Sequence, residues 1–419
     1  MSTIRLLGSI AIGALLISST AHAQSSFDNS ENIISSLKAD FPNLSDADAR
    51  TALSGEFRDK MAAVEACASD IDGYAGMYIR YSPKLNAVTK FQKSPNQKLR
   101  HCTRDRLFKA VGASSSLAQL EEASAIVKEA MGDVDFPFGL ETDIIKNRVT
   151  VEVFPENFKT ANNTLRHLRV GNVPLSRIVK IRKGDGFIFS STADDIIEVQ
   201  GNLRASDCTT GFNVQEVDAF GVDTDRQGVT TAGHCDNRSF SVGGGIFNPN
   251  SQKFVAERWE DGSNPTSHDD QDLQWHTNDN DIYLNRVSYT NVIPGTFLAV
   301  EDIITTSSLS TASPFHLTTG SYLCRLGRVS NDERCGFYTG FVLATDDDTN
   351  QTLEVPAFEA LSGELSRGGD SGGPVYAIGN NGGILAAGVL SSGAQGIATF
   401  SPVDKFSNLN IRVISAARP

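Results

Sequence analysis

The chain has 419 residues, of which 40% are hydrophobic and 21% are charged, as in ordinary soluble globular proteins. Its length allows two or three domains. Acidic residues outnumber basic ones by 50 to 37, giving a formal net charge of -13, which repels nucleic-acid phosphates and anionic lipid surfaces. We therefore expect no nucleic-acid partner and no membrane partner for the mature protein.

The first 23 residues have the pattern of a secretory signal peptide. Arg5 precedes an apolar run from Leu6 to Ile17, and the small-x-small site Ala21-His22-Ala23 follows. The alternative is an N-terminal membrane anchor, but the run is shorter than the roughly 18 to 20 apolar residues that span a bilayer. We predict that residues 1–23 are removed and that the product is secreted or periplasmic.

Residues 28 to about 190 combine helical and strand-like patterns. The stretch 45–48 resembles a capping box, and apolar residues recur at helical spacing over 52–68 and 117–131. A strand, a helix and a second strand are then predicted in succession over 147–154, 156–168 and 176–183. We predict an α+β domain spanning residues 24–194.

From about residue 200 the sequence consists of short segments rich in Val, Ile, Phe and Thr, broken by Gly, Asn, Asp and Ser. This pattern is typical of an all-β barrel or sandwich. The stretch 186–202 between the two halves is a candidate linker or cleavage region.

The six cysteines form an even set, which in an exported protein indicates disulfides rather than metal ligands or redox thiols. No Cys-x-x-Cys motif is present. Six cysteines allow fifteen pairings. Proximity along the chain favours three local bonds: Cys67 with Cys102, Cys208 with Cys235, and Cys324 with Cys335.

Ser371 lies in a glycine-rich turn, Arg367-Gly-Gly-Asp-Ser-Gly-Gly-Pro374, where the backbone can approach another molecule closely. A serine hydroxyl becomes a good nucleophile only when a base takes its proton and a carboxylate orients that base. None of the seven histidines follows Ser371, which excludes the order Ser, acid, His of the α/β-hydrolases. The base must therefore precede the serine.

His234, in Thr230-Thr-Ala-Gly-His-Cys235, is the strongest candidate base. This segment and the turn around Ser371 together resemble the chymotrypsin-type serine peptidases. The segment Cys208-Thr-Thr-Gly-Phe-Asn-Val214 resembles their bacterial branch, the streptogrisins and α-lytic protease. The resemblance implies an endopeptidase acting on proteins or peptides, with His234 as general base, Ser371 as nucleophile and no cofactor.

The same resemblance implies the fold. It predicts an all-β catalytic domain of two antiparallel six-stranded β-barrels over residues 195–419, chymotrypsin-like, with the site in the crevice between the barrels. The α+β domain precedes it in the chain.

An aspartate between His234 and Ser371, at the head of an apolar strand, is the third member that the resemblance requires. Asp272 and Asp281 both fit this description. The Asp-x-x-Trp spacing that begins at Asp272 resembles the bacterial branch and favours Asp272, in which case Asp281 is a surface acid.

The resemblance further assigns the backbone N–H groups of Gly369 and Ser371 to an oxyanion hole. The resemblance also places Asp370 beneath this turn, where a buried carboxylate needs a cationic partner. Arg325, directly after Cys324, resembles the arginine that fills this role in the bacterial branch. The alternative is an exposed Arg325 beside a disulfide.

The substrate pocket is expected on both sides of the nucleophile along the chain, at Glu364, Leu365, Ser391, Ser392 and Gly393. Bacterial relatives carry a cysteine where this chain has Leu365. Small wall residues predict a preference for small or medium apolar side chains, which Glu364 would reverse if it pointed inward. The stretch from Ser391 to Gly393 is expected to pair with an extended peptide by strand addition.

The segment 138–153 resembles the C-terminal lobe of propeptides from this bacterial group, which assist folding and then block the active site. The resemblance implies that the α+β domain is an intramolecular folding aid and inhibitor. Three alternatives stay open: a substrate-binding or scaffold domain, a peptidase that retains this domain as a regulator, and an exported non-catalytic binding protein on the same fold.

Overall fold

The computed structural model describes residues 30–131, 134, 136, 138–183, 188–189, 204–205, 208–218, 220–235, 240–243, 252–255, 272–277, 286–288, 297–306, 313, 315–327, 329–330, 332–346, 352–361, 363–394 and 396–416. The predicted signal peptide at 1–23, the boundary at 194–195 and the alternative acid Asp281 lie outside these residues. Within them, no helix combines the length and apolar character needed to cross a membrane.

The described part of the N-terminal half contains six helices and nine strands. The helices are α1 Ser30–Asp40, α2 Asp46–Leu53, α3 Gly55–Ser69, α4 Pro95–Cys102, α5 Leu117–Met131 and α6 Phe158–Leu165. The strands are β1 Tyr74–Arg80, β2 Asn86–Phe91, β3 Phe108–Gly112, β4 Phe138–Asp143, β5 Arg148–Val153, β6 Arg169–Val170, β7 Val173–Pro174, β8 Val179–Lys183 and β9 Ile188–Phe189. A 3-10 turn covers Leu175–Arg177.

The helix predicted over 52–68 is divided in the structure, because Ser54 ends one helix and starts the next. Its N–H donates to Thr51 O at 3.1 Å, and its Oγ accepts the N–H of Phe57 at 3.2 Å. At the start of α2, Ser45 Oγ accepts the N–H of Asp48 at 3.1 Å, which is the capping bond that the sequence predicts. The prediction of one continuous helix is wrong at this junction.

The strand, helix and strand predicted after residue 147 are present as β5, α6 and β8, with the two strands parallel. Strands β4, β5 and β8 form a layer, and α5 and α6 pack on it. A separate apolar core lies there and includes Leu120, Val127 and Val151. The strands β1, β2 and β3 form a second, three-stranded sheet beside α3 and α4. The predicted α+β half therefore consists of two lobes.

The described residues of the C-terminal half lie mainly in strands. They are β10 Arg204–Ala205, β11 Cys208–Thr209, β12 Asn213–Val217, β13 Asp223–Thr231, β14 Phe240–Gly243, β15 Gln252–Val255, β16 Gln274–Thr277, β17 Arg286–Ser288, β18 Phe297–Ile303, β19 Tyr322–Gly327, β20 Asp332–Asp346, β21 Thr352–Glu359, β22 Pro374–Ile378, β23 Ile384–Ala394, β24 Ile397–Pro402 and β25 Ile411–Val413. A 3-10 helix covers Val403–Leu409. The prediction of an all-β C-terminal half is confirmed.

Six strands close on one another by pairing in the order β22, β19, β20, β21, β24 and β23, with β23 returning to β22. All six pairings are antiparallel, and apolar side chains such as Leu323, Phe358 and Phe400 form the core. A separate sheet runs β16, β13, β12 and β25. Since the structure describes four strands in that sheet, the two six-stranded barrels stay a prediction.

The two halves of the chain contact each other through strand pairing, through hydrogen bonds and through a shared apolar core. Strand β4 pairs with β20, so the N-terminal layer extends the C-terminal sheet. The N–H of Ile79 donates to Thr319 O at 2.8 Å, and the buried hydroxyl of Tyr81 donates to Gly320 O at 2.8 Å. One continuous apolar core contains residues of the helices α1, α2 and α3 together with residues of the C-terminal strands.

Candidate active site

His234 and Asp272 come together because the strands next to them pair. His234 follows the end of β13, Asp272 precedes β16, and these strands are antiparallel with Thr231 opposite Gln274. The Nδ1 atom of His234 lies 2.7 Å from Asp272 Oδ2, and the backbone N–H of His234 donates to Asp272 Oδ1 at 2.7 Å. The carboxylate therefore holds both the ring and the backbone of His234.

Asp272 is buried among hydrogen-bond donors. Burial by itself raises the pKa of this carboxyl, but attraction to His234 and the hydrogen bonds from His234 and Ser391 outweigh it and keep the pKa below its ordinary value. The hydroxyl of Ser391 donates to Oδ2. Ser401 Oγ accepts the N–H of Asp272 at 3.1 Å and donates to its carbonyl at 2.7 Å. Asp272 is thus held as an anion in a fixed position.

The turn that carries Ser371 depends on its glycines. Gly369 and Gly372 both have φ of +88°, in the left-handed region that favours glycine. The N–H groups of Asp370, Gly372 and Gly373 donate to backbone carbonyls. Within the described part of the chain, those of Gly369 and Ser371 donate to no backbone carbonyl, so they are available to a ligand.

Thr209 connects the two turns. Its N–H donates to Ser371 O at 2.7 Å, and its Oγ1 donates to Gly369 O at 2.8 Å. Its own carbonyl accepts the Oγ1–H of Thr231 at 2.8 Å, on the strand that leads to His234. One residue therefore bonds to the candidate nucleophile's turn and to the candidate base's strand.

The two turns also touch directly at Gly372. A Cβ on this residue would overlap Thr209 O and Thr231 Oγ1, and would lie 3.1 Å from the N atom of Ala232, two residues before His234. No described residue, and so not His234 either, accepts a hydrogen bond from the Ser371 hydroxyl. The structure thus brings these two residues together through their backbones rather than through that bond.

Asp370 lies beneath the turn and is completely buried. Its Oδ1 accepts the N–H groups of Val329 and Ser330, both at 2.9 Å, and its Oδ2 accepts that of Arg367 at 3.0 Å. Arg325 Nη2 lies 3.7 Å from Oδ2. The predicted pair of Arg325 and Asp370 is therefore present as a buried ion pair.

Arg325 has a second, closer carboxylate partner, since its Nη1 lies 3.0 Å from Asp332 Oδ1. Its Nε donates to Leu365 O. Burial lowers the pKa of the guanidinium, and Asp370 and Asp332 oppose that effect. The alternative of an exposed Arg325 is wrong, because the side chain is 1% exposed.

The predicted pocket residues have different environments. Leu365 is buried, whereas Glu364 is exposed and pairs with Arg367 at 3.4 Å. Glu364 therefore points to solvent, away from the barrel interior.

The other pocket residues lie at the end of β23. Ser391 is buried against Asp272, the Oγ of Ser392 lies 3.0 Å from Thr399 Oγ1, and Gly393 is exposed. A Cβ on Gly393 would overlap Ser366 Oγ, so the loop segment that carries Leu365 and Ser366 is in close contact with the end of β23.

The three disulfides join the pairs that proximity favours: Cys67–Cys102, Cys208–Cys235 and Cys324–Cys335. Each of the two His, Cys and acid clusters found among the described residues contains both sulfurs of one of these disulfides. A disulfide sulfur is not the thiolate that binds a metal. These clusters therefore offer no metal centre.

Sequence reasoning assigned no role to three residues that build the site: Thr209, Gln274 and Asp332. Thr209 and Gln274 act through contacts with residues far away in the chain, and Asp332 acts through Arg325, which is close in sequence. Thr209 lies within the segment 208–214 that resembles the bacterial branch, and this was the available signal for it.

No protein-family model matches the sequence, and no curated protein matches it. The chain is similar in structure to the Nocardiopsis protease (NAPase), with 22% identity over 51% of this chain and 98% of that protein, at a TM-score of 0.35. It is also similar to a human astrovirus serine protease, with 11% identity over 50% and 98% at 0.24, and to the murine norovirus NS6 protease, with 12% identity over 42% and 88% at 0.24. Because these TM-scores are low, no function is inferred from the similarities, and the proposed function rests on the geometry of the site.

Proposed function

We propose that the chain is a serine endopeptidase of the chymotrypsin type, exported as a precursor, with His234, Asp272 and Ser371 as its catalytic residues. The observation that carries the proposal is the pair of hydrogen bonds that the Asp272 carboxylate accepts from His234, one at Nδ1 and one at the backbone N–H, beside the turn of Ser371. A buried carboxylate on Nδ1 leaves Nε2 as the atom that accepts a proton.

The proposed reaction has two halves. Ser371 Oγ attacks the carbonyl carbon of the substrate while its proton passes to His234 Nε2, and the anionic Asp272 stabilises the imidazolium. The tetrahedral intermediate then expels the amine, which takes the proton from His234. Water repeats the sequence on the acyl-enzyme, releasing the acid product and restoring Ser371.

The N–H groups of Gly369 and Ser371 are proposed as the oxyanion hole. Supporting this, both are available in the turn, and Asp370 holds the turn rigid through three backbone donors. Preorganised donors of this kind each contribute about 3 kcal/mol to transition-state stabilisation. A serine hydroxyl that is not yet bonded to its base is common before substrate binds, because catalytic hydrogen bonds often tighten only in the complex.

A preference for small or medium apolar side chains is proposed for the pocket. It is supported by the contact between Ser366 and Gly393, which leaves little room between the two walls, and by the exposure of Glu364. With Glu364 in solvent, no acid among the described wall residues would attract a basic side chain.

The α+β half is proposed as a propeptide that aids folding and inhibits the enzyme. Strand β4 adds to β20 of the catalytic half through Val342 opposite Glu141 and Leu343 opposite Leu140, so the two halves can fold as one sheet. Strand β9, which lies within the candidate cleavage region 186–202, pairs with the same strand β20 farther along.

The test is the intact mass of the exported product, wild type beside Ser371→Ala, with labelling of the wild type by an organophosphonate. We expect stoichiometric labelling at Ser371 and a wild-type product that begins near residue 195, while the variant retains everything after Ala23. Labelling without cleavage would support a peptidase that keeps its N-terminal half. A product that neither labels nor hydrolyses peptides would be a binding protein.

A further inference from the structure

Gln274, the first residue of β16, is completely buried beneath the turn of His234. Its Nε2 donates to Ala232 O at 2.8 Å and to Cys235 O at 3.0 Å, and Gly233 O lies at 3.4 Å. These carbonyls lie on both sides of His234. One side-chain amide therefore holds the short backbone segment from which the imidazole extends.

The orientation of this amide follows from its partners. Carbonyl oxygens only accept hydrogen bonds, so the NH₂ end of Gln274 must face the turn. Its Oε1 then needs a donor, and the Nε2 of His276, at 3.0 Å on the same face of the strand, supplies one as the Nε2–H tautomer. Burial lowers the pKa of His276 to about 4, so this ring is neutral at neutral pH.

Gln274 also connects the two partners of the candidate catalytic pair. It is two residues from Asp272 on the same segment, while its side chain holds the turn of His234. The 2.7 Å contact between His234 Nδ1 and Asp272 Oδ2 depends on the distance between this segment and that turn. Besides Asp272 itself, Gln274 is a described side chain that bonds this segment to that turn.

We propose that Gln274 is a positioning residue, which fixes the His234 turn so that the imidazole meets Asp272 and Ser371 in reactive geometry. This inference rests on the proposed peptidase function. Its physical basis is that a displacement of about 1 Å in a catalytic group costs about 100-fold in rate.

Gln215 on β12 provides a matched control. It is also buried, and its Nε2 also donates to three backbone carbonyls, those of Thr224, Arg226 and Glu216 at 2.8, 2.7 and 3.2 Å. The same substitution at either glutamine removes the same kind of bonds from the same sheet. Only Gln274 bonds to the turn of His234.

The experiment compares Gln274→Met with Gln215→Met in the exported product, using hydrolysis of p-nitrophenyl acetate across pH. We expect Gln274→Met to lower kcat by about 10- to 100-fold with little change in KM. We also expect the acid limb of its kcat/KM profile to move to lower pH, because a loosened Asp272 stabilises the imidazolium of His234 less. Gln215→Met should keep the wild-type kcat and the wild-type acid limb of the kcat/KM profile. Its loss of thermal stability should be similar to that of Gln274→Met.

Equal losses in the two variants, or a Gln274→Met limb at the wild-type pH, would overturn the proposal. If Gln274→Met does not fold, His276→Phe provides the second test, since it removes the donor to Gln274 Oε1 and should move the limb in the same direction by a smaller amount.

A readout without turnover separates this inference from the proposed function. The proton between His234 Nδ1 and Asp272 should give a low-field NMR signal in Ser371→Ala. That signal should shift or disappear on adding Gln274→Met and persist with Gln215→Met. If the wild type is inactive but the signal changes with Gln274→Met as described, the proposed peptidase function is wrong and the positioning role stands. If the wild type is active but the signal is the same with and without Gln274→Met, the positioning role is wrong and the peptidase function stands.

Discussion

Arg325 and Asp370 form an ion pair in the interior of the C-terminal half, with 3.7 Å between Nη2 and Oδ2 and both side chains at most 1% exposed. Three backbone N–H groups also donate to the carboxylate. The charge of Arg325 is thus the cationic partner of an acid that lies directly before the candidate nucleophile.

Replacing Arg325 by methionine should lower the free energy of unfolding by about 3 to 5 kcal/mol, because a buried carboxylate then lacks its counter-charge. Arg412→Met is the control, since Arg412 pairs with the partly exposed Asp223 and should cost less than about 1 kcal/mol. Urea unfolding of both variants measures the difference. Similar costs at the two sites would contradict the assigned importance of the buried pair.

The hydroxyl of Ser391 donates to the same Asp272 oxygen that contacts His234 Nδ1. Hydrogen bonds to charged groups contribute about 1.5 to 3 kcal/mol, so Ser391→Ala should reduce kcat/KM by about tenfold or more. Ser313→Ala is the control, because it removes another buried hydroxyl, one that lies outside the site and donates to Ile303 O at 2.7 Å. We expect that control to retain the wild-type kcat/KM. Steady-state kinetics on both variants make the comparison, and an equal loss in the two would mean that the effect is common to any buried serine.

Two glycines of the same turn should respond in opposite ways to substitution. At Gly372 the backbone has φ of +88° and a Cβ would overlap Thr209 O, so Gly372→Ala should abolish activity. At Gly368 a Cβ would meet nothing within 4 Å, so Gly368→Ala should retain activity within about threefold. Organophosphonate labelling rates measure both, and a silent Gly372→Ala would mean that the two turns do not touch in solution.

The burial of His276 predicts a loss of stability in acid. Its pKa is about 4 in the folded protein against an ordinary value of 6.5, so the unfolded chain binds more protons between these values. The free energy of unfolding should therefore fall with decreasing pH, by about 2 kcal/mol between pH 7 and pH 5. His276→Gln should remove that part of the slope in denaturant titrations at several pH values, and an unchanged slope would count against a neutral buried ring.

The sequence predicts the helix and strand types well where the pattern is local. Residues 117–131 form α5 as their periodicity indicates, and the strand-helix-strand series after residue 147 is present. The break at Ser54 was missed because the apolar periodicity continues through it, although Ser54-Gly55 is a usable capping signal. Local pattern thus predicts where elements occur better than where they end.

The candidate site divides in the same way. The sequence motifs select His234 and Ser371 as the residues for a catalytic role, and spacing favours Asp272, which the structure finds at His234. Thr209 and Gln274 had no comparable signal, because their side chains act on backbone atoms that only the folded sheet brings near. Backbone acceptors are the same in every residue and leave no trace in composition.

The disulfide Cys208–Cys235 has a consequence for when the site can assemble. One of its cysteines directly precedes Thr209, which holds the Ser371 turn, and the other directly follows His234. Closing this loop of 27 residues removes about 3 to 4 kcal/mol of unfolded-chain entropy at that place. A reduced chain would have to bring the turns of His234 and Ser371 together without this link, so we expect an oxidising environment to favour assembly of the candidate site.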